Sequence, residues 1–386
     1  CPRQRALYRL PSLPRHRRRG QQQAPLPGVP GQGHRADEEI NMEGLHLYCV
    51  VGNGTELDFD PIGIGGRRVF AIRHRDLSAL LRPSPLRSYK SMKKEEVIPY
   101  LFAHQAVIEK VMEVHTVVPV KFGTMALDAE EVRKNLTTGY PQLRAALEAM
   151  EGKIELDVVA LWRELDSILG EIGEEEEIRR LKAAVAGRPP GETLEERIQI
   201  GKMVKARLDQ RREALGAEIV EALKPLARDL CPHPHNMDDR MILNMAFLLD
   251  RERESDVSET LERLNGRYGE SIDFRCVGPL PPYSFSTVEV RRFDFGEIDR
   301  ARRLLGLGEC ATLPDVKEAY RRLAHQCHPD KHPATQRAER AFEEVTEAYR
   351  LLADYCQVGG GAFRERDVGE AISVSLLQWP REVGVA

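Results

Sequence analysis

The chain has 386 residues, 41% hydrophobic and 31% charged, enough to bury the cores of two or three domains and too apolar for wholesale disorder. Its formal net charge of −4 excludes a polyanion binder driven by overall basicity, and no stretch approaches the roughly 18 consecutive apolar residues of a membrane-spanning helix. Seven cysteines, at 1, 49, 231, 276, 310, 327 and 356, are scattered with no CxxC pair, the usage expected of reduced thiols in a cytosol.

Residues 1–41 are rich in Arg, Gln, Pro and Gly, with eight arginines against three acids. Such a segment cannot bury enough apolar surface to fold alone. It reads as a disordered or non-native upstream extension, with Met42 as the start of the folded body. The other reading, a basic arm for nucleic acid, is the weaker one, because hydrophobic alternation begins directly after Met42.

From Met42 onward the pattern predicts strands at 45–51 and 69–72, a helix at 95–115 and a strand at 116–122, where Pro119 points to a sheet edge. A helical stretch at 128–150 is broken at 139–141, and IELDVVALW returns to strand at 154–162. This order predicts an α+β domain over 42–162 with helices on one sheet face. Residues 163–230 read as a charged helical connector, interrupted by RPPGE at 188–192, that bridges two α/β halves. A strand at 241–249, a helix at 256–268 and strands at 271–277 and 286–293 form the second half, with GPLPPYSF at 278–285 as a rigid extended connector.

Residues 298–356 read as three helices. Thr312 caps the second, about 313–327, and Pro314 sits in its first turn. Val316, Ala319, Tyr320, Leu323, Ala324 and Cys327 form its apolar stripe, while Lys317, Arg321 and His325 lie opposite. The third helix, about 336–353, carries its own stripe from Ala341 to Leu352, and His328-Pro329-Asp330-Lys331 lies between the two. A hairpin of this kind, AYRRLAHQCHPDKHP followed by AFEEVTEAYRLL, resembles the J domain of DnaJ-type co-chaperones. The resemblance implies that His328, Pro329 and Asp330 stimulate the ATPase of a DnaK-type partner, with Lys317, Arg321, Arg322 and Lys331 as the electropositive docking group. Two residues depart from the family pattern. Glu318 puts an acid where a base is common, at a spacing that permits a pair with Arg322, and Cys327 replaces a usual aromatic.

Three further segments, HQAVIEKVMEVHTVVPVKFGT (104–124), GKIELDVVALW (152–162) and NMAFLLDRE (244–252) leading to GPLPPYSF, resemble the gas vesicle protein family of types L and F. That resemblance implies two α/β domains with bridging helices, the second ferredoxin-like, over 231–293 and completed by the connector helices. An all-α J-domain hairpin and a flexible tail at 357–386 follow, in which GGG (359–361) reads as a flexible link and AISVSLLQW (371–379) as a candidate further strand. It also implies a cytoplasmic protein associated with gas vesicles, whose partners are the small apolar shell subunit and other vesicle accessory proteins. Phe122, Gly123 and Thr124, together with Gly278, Pro279, Pro281, Pro282, Tyr283 and Phe285, are candidate shell-binding edges or structural turns, read as exposed connectors.

Cys231, His233, His235, Asp238 and Asp239 supply metal-ligand types, but their spacing fits no structural zinc motif, so no metal or other cofactor is expected. His104 and His115 read as core or boundary histidines. No Walker loop, GxSxG elbow or HExxH occurs, and no enzyme active site is expected. The reading that results is an assembly factor whose body holds the shell subunit and whose J domain recruits a DnaK-type chaperone. The alternatives are a general J-domain co-chaperone with a different client, and a minor structural component of the vesicle.

Overall fold

The structure, a computed structural model, describes residues 43–52, 58–59, 68–86, 89, 92–233, 238–327 and 336–377. The expectation for 1–41 lies outside these residues. The described chain divides into two compact units, 150–285 and a second made of 43–149 with 286–377.

The latter unit begins with β1 (Glu43–Gly52), β2 (Asp58–Phe59), β3 (Val69–His74), β4 (Leu77–Pro85), α1 (Lys94–Met112), β5 (Val117–Pro119), β6 (Met125–Ala126), α2 (Ala129–Thr138) and α3 (Tyr140–Met150). The sheet runs β2-β3-β4-β1-β5, and β6 also pairs with β1. Against the expectation of one covered face, both faces of β1 are buried. Leu47 and Val50 pack with Val132, Leu136, Leu143 and Leu147 of α2 and α3. His46 and Tyr48 turn to the opposite face and meet His104 of α1. The switch comes from a register break between Leu47 and Cys49 against β4. The extra residue there moves Val50 onto the face of Leu47, which strict alternation would forbid.

His46 Nε2 lies 3.0 Å from His104 Nδ1, and His104 Nε2 lies 3.2 Å from the Val120 carbonyl. Because that carbonyl only accepts, His104 donates from Nε2 and its Nδ1 accepts from His46, so each ring carries one proton and is neutral. Burial pushes His104 down to about 4. Burial, then the neighbouring His104 and Arg82, push His46 down to about 2.

The other unit contains β7 (Lys153–Trp162), α4 (Leu165–Gly173), α5 (Glu176–Val185), α6 (Leu194–Leu223), β8 (Asp229–Pro232), β9 (Met241–Asp250), α7 (Glu254–Tyr268) and β10 (Ile272–Leu280). Its four strands run β10-β7-β9-β8, with every neighbour antiparallel. The strand at 154–162, expected in the first domain, is therefore a central strand of the second sheet. Pairing with partners some 80 to 125 residues away leaves no trace in local periodicity. The helices at 165–223 do not act as a free bridge. Leu208, Leu215, Ile219 and Leu223 of α6 pack on Trp162, Phe247 and Leu249 of the sheet. Arg211 binds Glu171 and Glu175 at 2.9 and 3.1 Å, tying α6 to α4 and to the start of α5.

The chain then returns to the unit that holds β1, with β11 (Thr287–Arg292), α8 (Phe295–Leu304), α9 (Leu313–Cys327), α10 (Gln336–Gly359), α11 (Glu365–Glu370) and β12 (Ile372–Leu377). Two expectations are corrected here. The strand near 286–293 does not join the second sheet but pairs with β12. The described part of the tail after Gln357 is not a flexible tail: it ends α10, forms α11 and supplies β12, the last at the place of the candidate strand in AISVSLLQW. The alternation ISVSLL lets Val374 and Leu376 reach the first core while Ser375 and Leu377 stay exposed.

Two stability predictions follow from this core. Unfolded histidines titrate near 6.5, above both native values, so the unfolded chain binds protons first. Stability is complete above about pH 6.5 and is lost as pH falls toward about 4 for His104 and further for His46, by about 1.4 kcal/mol per pH unit and histidine. A guanidinium midpoint followed by hydrogen exchange in β1 is expected to drop steadily below pH 6.5, and less steeply in His104→Asn. The buried Asn135 amide, below the β11–β12 pair, has no hydrogen-bond partner among the described residues. Asn135→Leu is expected to raise the same midpoint at pH 7, by about 1 kcal/mol.

Candidate chaperone-docking face and body connectors

The helical module is held by an apolar core of Ile298 from α8 and Leu305 just after it, Val316 and Ala319 from α9, and Val345, Ala348 and Leu352 from α10. Tyr320 and Tyr349 stack with centroids 4.4 Å apart, pinning α9 to α10. Asp294 caps α8 by accepting from the Glu297 amide at 2.9 Å. At the start of α9, Asp315 accepts from the Thr312 amide at 2.7 Å and from its hydroxyl at 2.6 Å, and those bonds hold its carboxyl below the usual range. This reciprocal cap fixes the first turn of the helix that carries the basic residues.

Lys317, Glu318, Arg321, Arg322 and His325 are all exposed on α9. No ion pair engages Lys317, Arg321 or Arg322 among the described residues, so the Glu318–Arg322 pair that the spacing permits is not made. Three guanidinium or ammonium groups therefore stand on this helix without an ion-pair partner among the described residues, with Glu318 the one acid among them. Cys327 is half-buried at the helix end. His328, Pro329, Asp330 and Lys331 lie outside the described residues.

The body connectors turn inward more than their composition implies. Phe122 is half-buried and packs on Tyr89 and His104, with centroids 4.7 and 5.4 Å apart. Gly123 takes a φ of +85°, and the Thr124 hydroxyl closes the turn onto the Lys121 carbonyl at 2.7 Å. In the second connector, Leu280, Pro281, Pro282, Ser284 and Phe285 are buried, while Gly278 is exposed and Pro279 and Tyr283 are half-buried. Expecting an exposed loop from three prolines and a glycine is thus wrong for most of its length. Glu155 of β7 is the cause: its carboxylate accepts from the Ser284 amide and from the Ser284 hydroxyl, each at 2.7 Å, and draws the connector onto the sheet. Gly278 fits because a Cβ there would stand 2.4 Å from Leu156 Cδ2 and 2.9 Å from the Glu155 carbonyl, at a φ of +155°.

Among the described residues, the ligand set read from 231–239 does not assemble as a group. Cys231 packs in an apolar cluster with Met150, Ala246, Leu248 and Phe285. Asp238 pairs with Arg240 at 2.9 Å, and His235 lies outside the described residues. His233 instead meets Asp157 at 3.1 Å, and with Glu155 these three bring ligand-type atoms within 4.8 Å of one another. Local spacing could not reveal this cluster, because the two carboxylates lie on β7 and the imidazole follows β8. Both Glu155 oxygens are engaged by Ser284, and the His233–Asp157 contact ties the end of β8 to β7, so the cluster works as a hydrogen-bonded clamp. Ser284→Ala removes one charge-assisted bond and is expected to cost about 2 kcal/mol, read as a lower denaturation midpoint with hydrogen exchange rising first at 278–285.

The sequence model of the family described as gas vesicle synthesis protein GvpL/GvpF matches residues 44–287, and that of the DnaJ domain matches residues 303–357. Gas vesicle protein F of Nostoc sp. (strain PCC 7120 / SAG 25.82 / UTEX 2576) is 26% identical over 248 residues, covering 64% of this chain and 98% of that protein. Gas vesicle protein L of Haloferax mediterranei is 23% identical, covering 66% of this chain and 91% of that protein. Over 66 residues the chain is 46% identical to the chaperone protein DnaJ of Caldicellulosiruptor saccharolyticus, but it spans only 17% of that protein, so the likeness concerns the helical module alone. The crystal structure of GvpF from Anabaena sp. PCC7120 superposes with a TM-score of 0.54 at 24% identity, over 63% of this chain and 97% of that one, which supports a shared fold. The chain belongs to the GvpL/GvpF family of gas vesicle synthesis proteins, with a DnaJ domain fused to that body.

Proposed function

We propose that the protein is a gas vesicle co-chaperone, not an enzyme. Its body holds the apolar shell subunit, alone or with other vesicle accessory proteins, and its J domain brings a DnaK-type ATPase to the same place. The observation that carries this reading is the basic face of α9, unpaired among the described residues, mounted on a capped and stacked helical hairpin and joined to a gas vesicle family body. Lys317, Arg321 and Arg322 orient the encounter and raise its rate, together with Lys331. His328, Pro329 and Asp330, outside the described residues, are the stimulating tripeptide. There Pro329 restricts the backbone, and Asp330 accepts charge-assisted hydrogen bonds from the chaperone. The place of action is the cytoplasm, at the growing vesicle. A shell subunit with an apolar side risks aggregation before assembly, and a chaperone delivered to the assembly point limits that exposure.

The strand order β10-β7-β9-β8, in chain order fourth-first-third-second, supports a ferredoxin-like reading of the second domain. The burial of Phe285, Pro281 and Pro282 supports reading the 278–285 connector as a structural turn. Phe122, Gly123 and Thr124 are read in the same way.

Purified full-length chain is expected to accelerate ATP hydrolysis by a DnaK-type chaperone and to retain the shell subunit in pull-downs in preference to unrelated unfolded proteins. Asp330→Asn is expected to weaken productive docking by about 30-fold, about 2 kcal/mol, with an unchanged circular dichroism spectrum. Undiminished stimulation in that variant removes the co-chaperone reading. Equal capture of unrelated proteins replaces it with a general co-chaperone.

A further inference from the structure

We infer that the J domain is an insertion within a β-hairpin of the first body domain, so that a chaperone docked on α9 is held in one orientation to that domain. This rests on the co-chaperone reading above and adds the geometry of delivery.

Three observations carry it. The first is the hairpin itself. β11 and β12 pair antiparallel over six residues, from Thr287 opposite Leu377 to Arg292 opposite Ile372. The module from α8 to α11 lies between them, and β12 falls outside both matched segments, 44–287 and 303–357.

The second is the lack of slack at either junction. Only Phe293 and Asp294 separate β11 from α8, and only Ala371 separates α11 from β12. Phe293 and Ala371 are both buried in the module's own core, and Asp294 is the cap of α8. The Arg291 guanidinium also reaches Asp354 of α10 at 3.0 Å. Neither junction leaves a residue free to act as a swivel.

The third is the seat of the hairpin. Val288, Val290, Val374 and Leu376 pack into the core of the first sheet. Val120 and Val288 form a parallel bridge, and the Lys121 amide donates to the Val288 carbonyl at 2.8 Å. Ion pairs join Lys121 to Glu289 and Glu131 to Arg292. At the α2–α3 break, a Cβ on Gly139 would stand 2.5 Å from Val374 Cγ1, so the helix pair is cut away at the point where β12 crosses it.

A domain on one flexible tether contributes effective concentration alone. One attached by two paired strands also fixes direction. Two full-length variants test the difference. The first carries six-residue Gly-Ser segments between Arg292 and Phe293 and between Ala371 and Ile372, which loosens both junctions and leaves both cores intact. The second, Val374→Asp, places a charge against the first core and unseats β12. Both are expected to stimulate a DnaK-type ATPase within ~2-fold of the unaltered chain, yet to lower vesicle yield ~10-fold when they replace it in vesicle-forming cells. Val374→Asp is also expected to raise hydrogen exchange at 117–121 and 287–292 while leaving α9 unchanged. Wild-type vesicle yield from the loosened variant overturns the inference. So does loss of ATPase stimulation in that variant, or unchanged exchange at those segments in Val374→Asp. Failure of the co-chaperone reading itself is distinguished by a different result, full vesicle yield from Asp330→Asn.

Discussion

The pairing of Thr287–Arg292 with Ile372–Leu377 joins two stretches of chain separated by a whole folded module, and the attachment of that module to the body depends on it. Closing a flexible loop of roughly 80 residues carries an entropic cost that six residue pairs offset poorly on their own. The J core removes most of that cost in advance. Phe293 at its entrance and Ala371 at its exit are buried in one cluster, so folding of the module already brings the two strand ends together. The strands then add a hydrogen-bonded ladder and four aliphatic side chains to the first core. Module and body thus stabilise one another through a junction that neither would form alone.

The body is tied internally by similar long-range polar contacts. The buried carboxylate of Glu155 holds Ser284 from 129 residues away, and the neutral pair His46–His104 hands a hydrogen bond on to Val120. Each fixes a connector to a strand, and each sits where water is excluded, so loss of one partner leaves a costly orphan. In this way the segments of the body that resemble its family meet in space. HQAV touches VKFGT through His104 and Phe122, while KIEL grips PYSF through Glu155 and Ser284.

Much of this was legible from local pattern. The 3.6-residue stripe of α9, the Thr312 cap and the long charged helix at 194–223 follow from periodicity and end signals that need no partner. The helical module was the clearest case, because its basic face and its apolar stripe lie on one helix. Non-local pairing was hidden. Nothing in IELDVVALW says that its neighbours are β9 and β10, and nothing in ISVSLL says that it returns to the first domain. The register break at Tyr48 also escaped, since a bulge changes which face a residue occupies without changing residue types. Pro and Gly in GPLPPYSF read as an exposed loop because composition reports stiffness and turn chemistry, whereas burial was set by a glutamate on another strand.

The electrostatics of α9, the proposed docking helix, follow the same local logic. The chain as a whole carries a net −4, which would disfavour an acidic partner if overall charge governed the encounter. At physiological ionic strength, charges more than about 8 Å away through solvent are largely screened. On the proposed docking face of α9, Lys317, Arg321 and Arg322 have no ion-pair partner among the described residues, and Glu318 offsets only part of their charge. Such a patch gains little from the remainder of the protein and depends on being held still. The Thr312–Asp315 cap, the Tyr320–Tyr349 stack and the two junction residues buried in the module core supply that rigidity, so the proposed docking rests on the mounting of the helix as well as on the charges it displays.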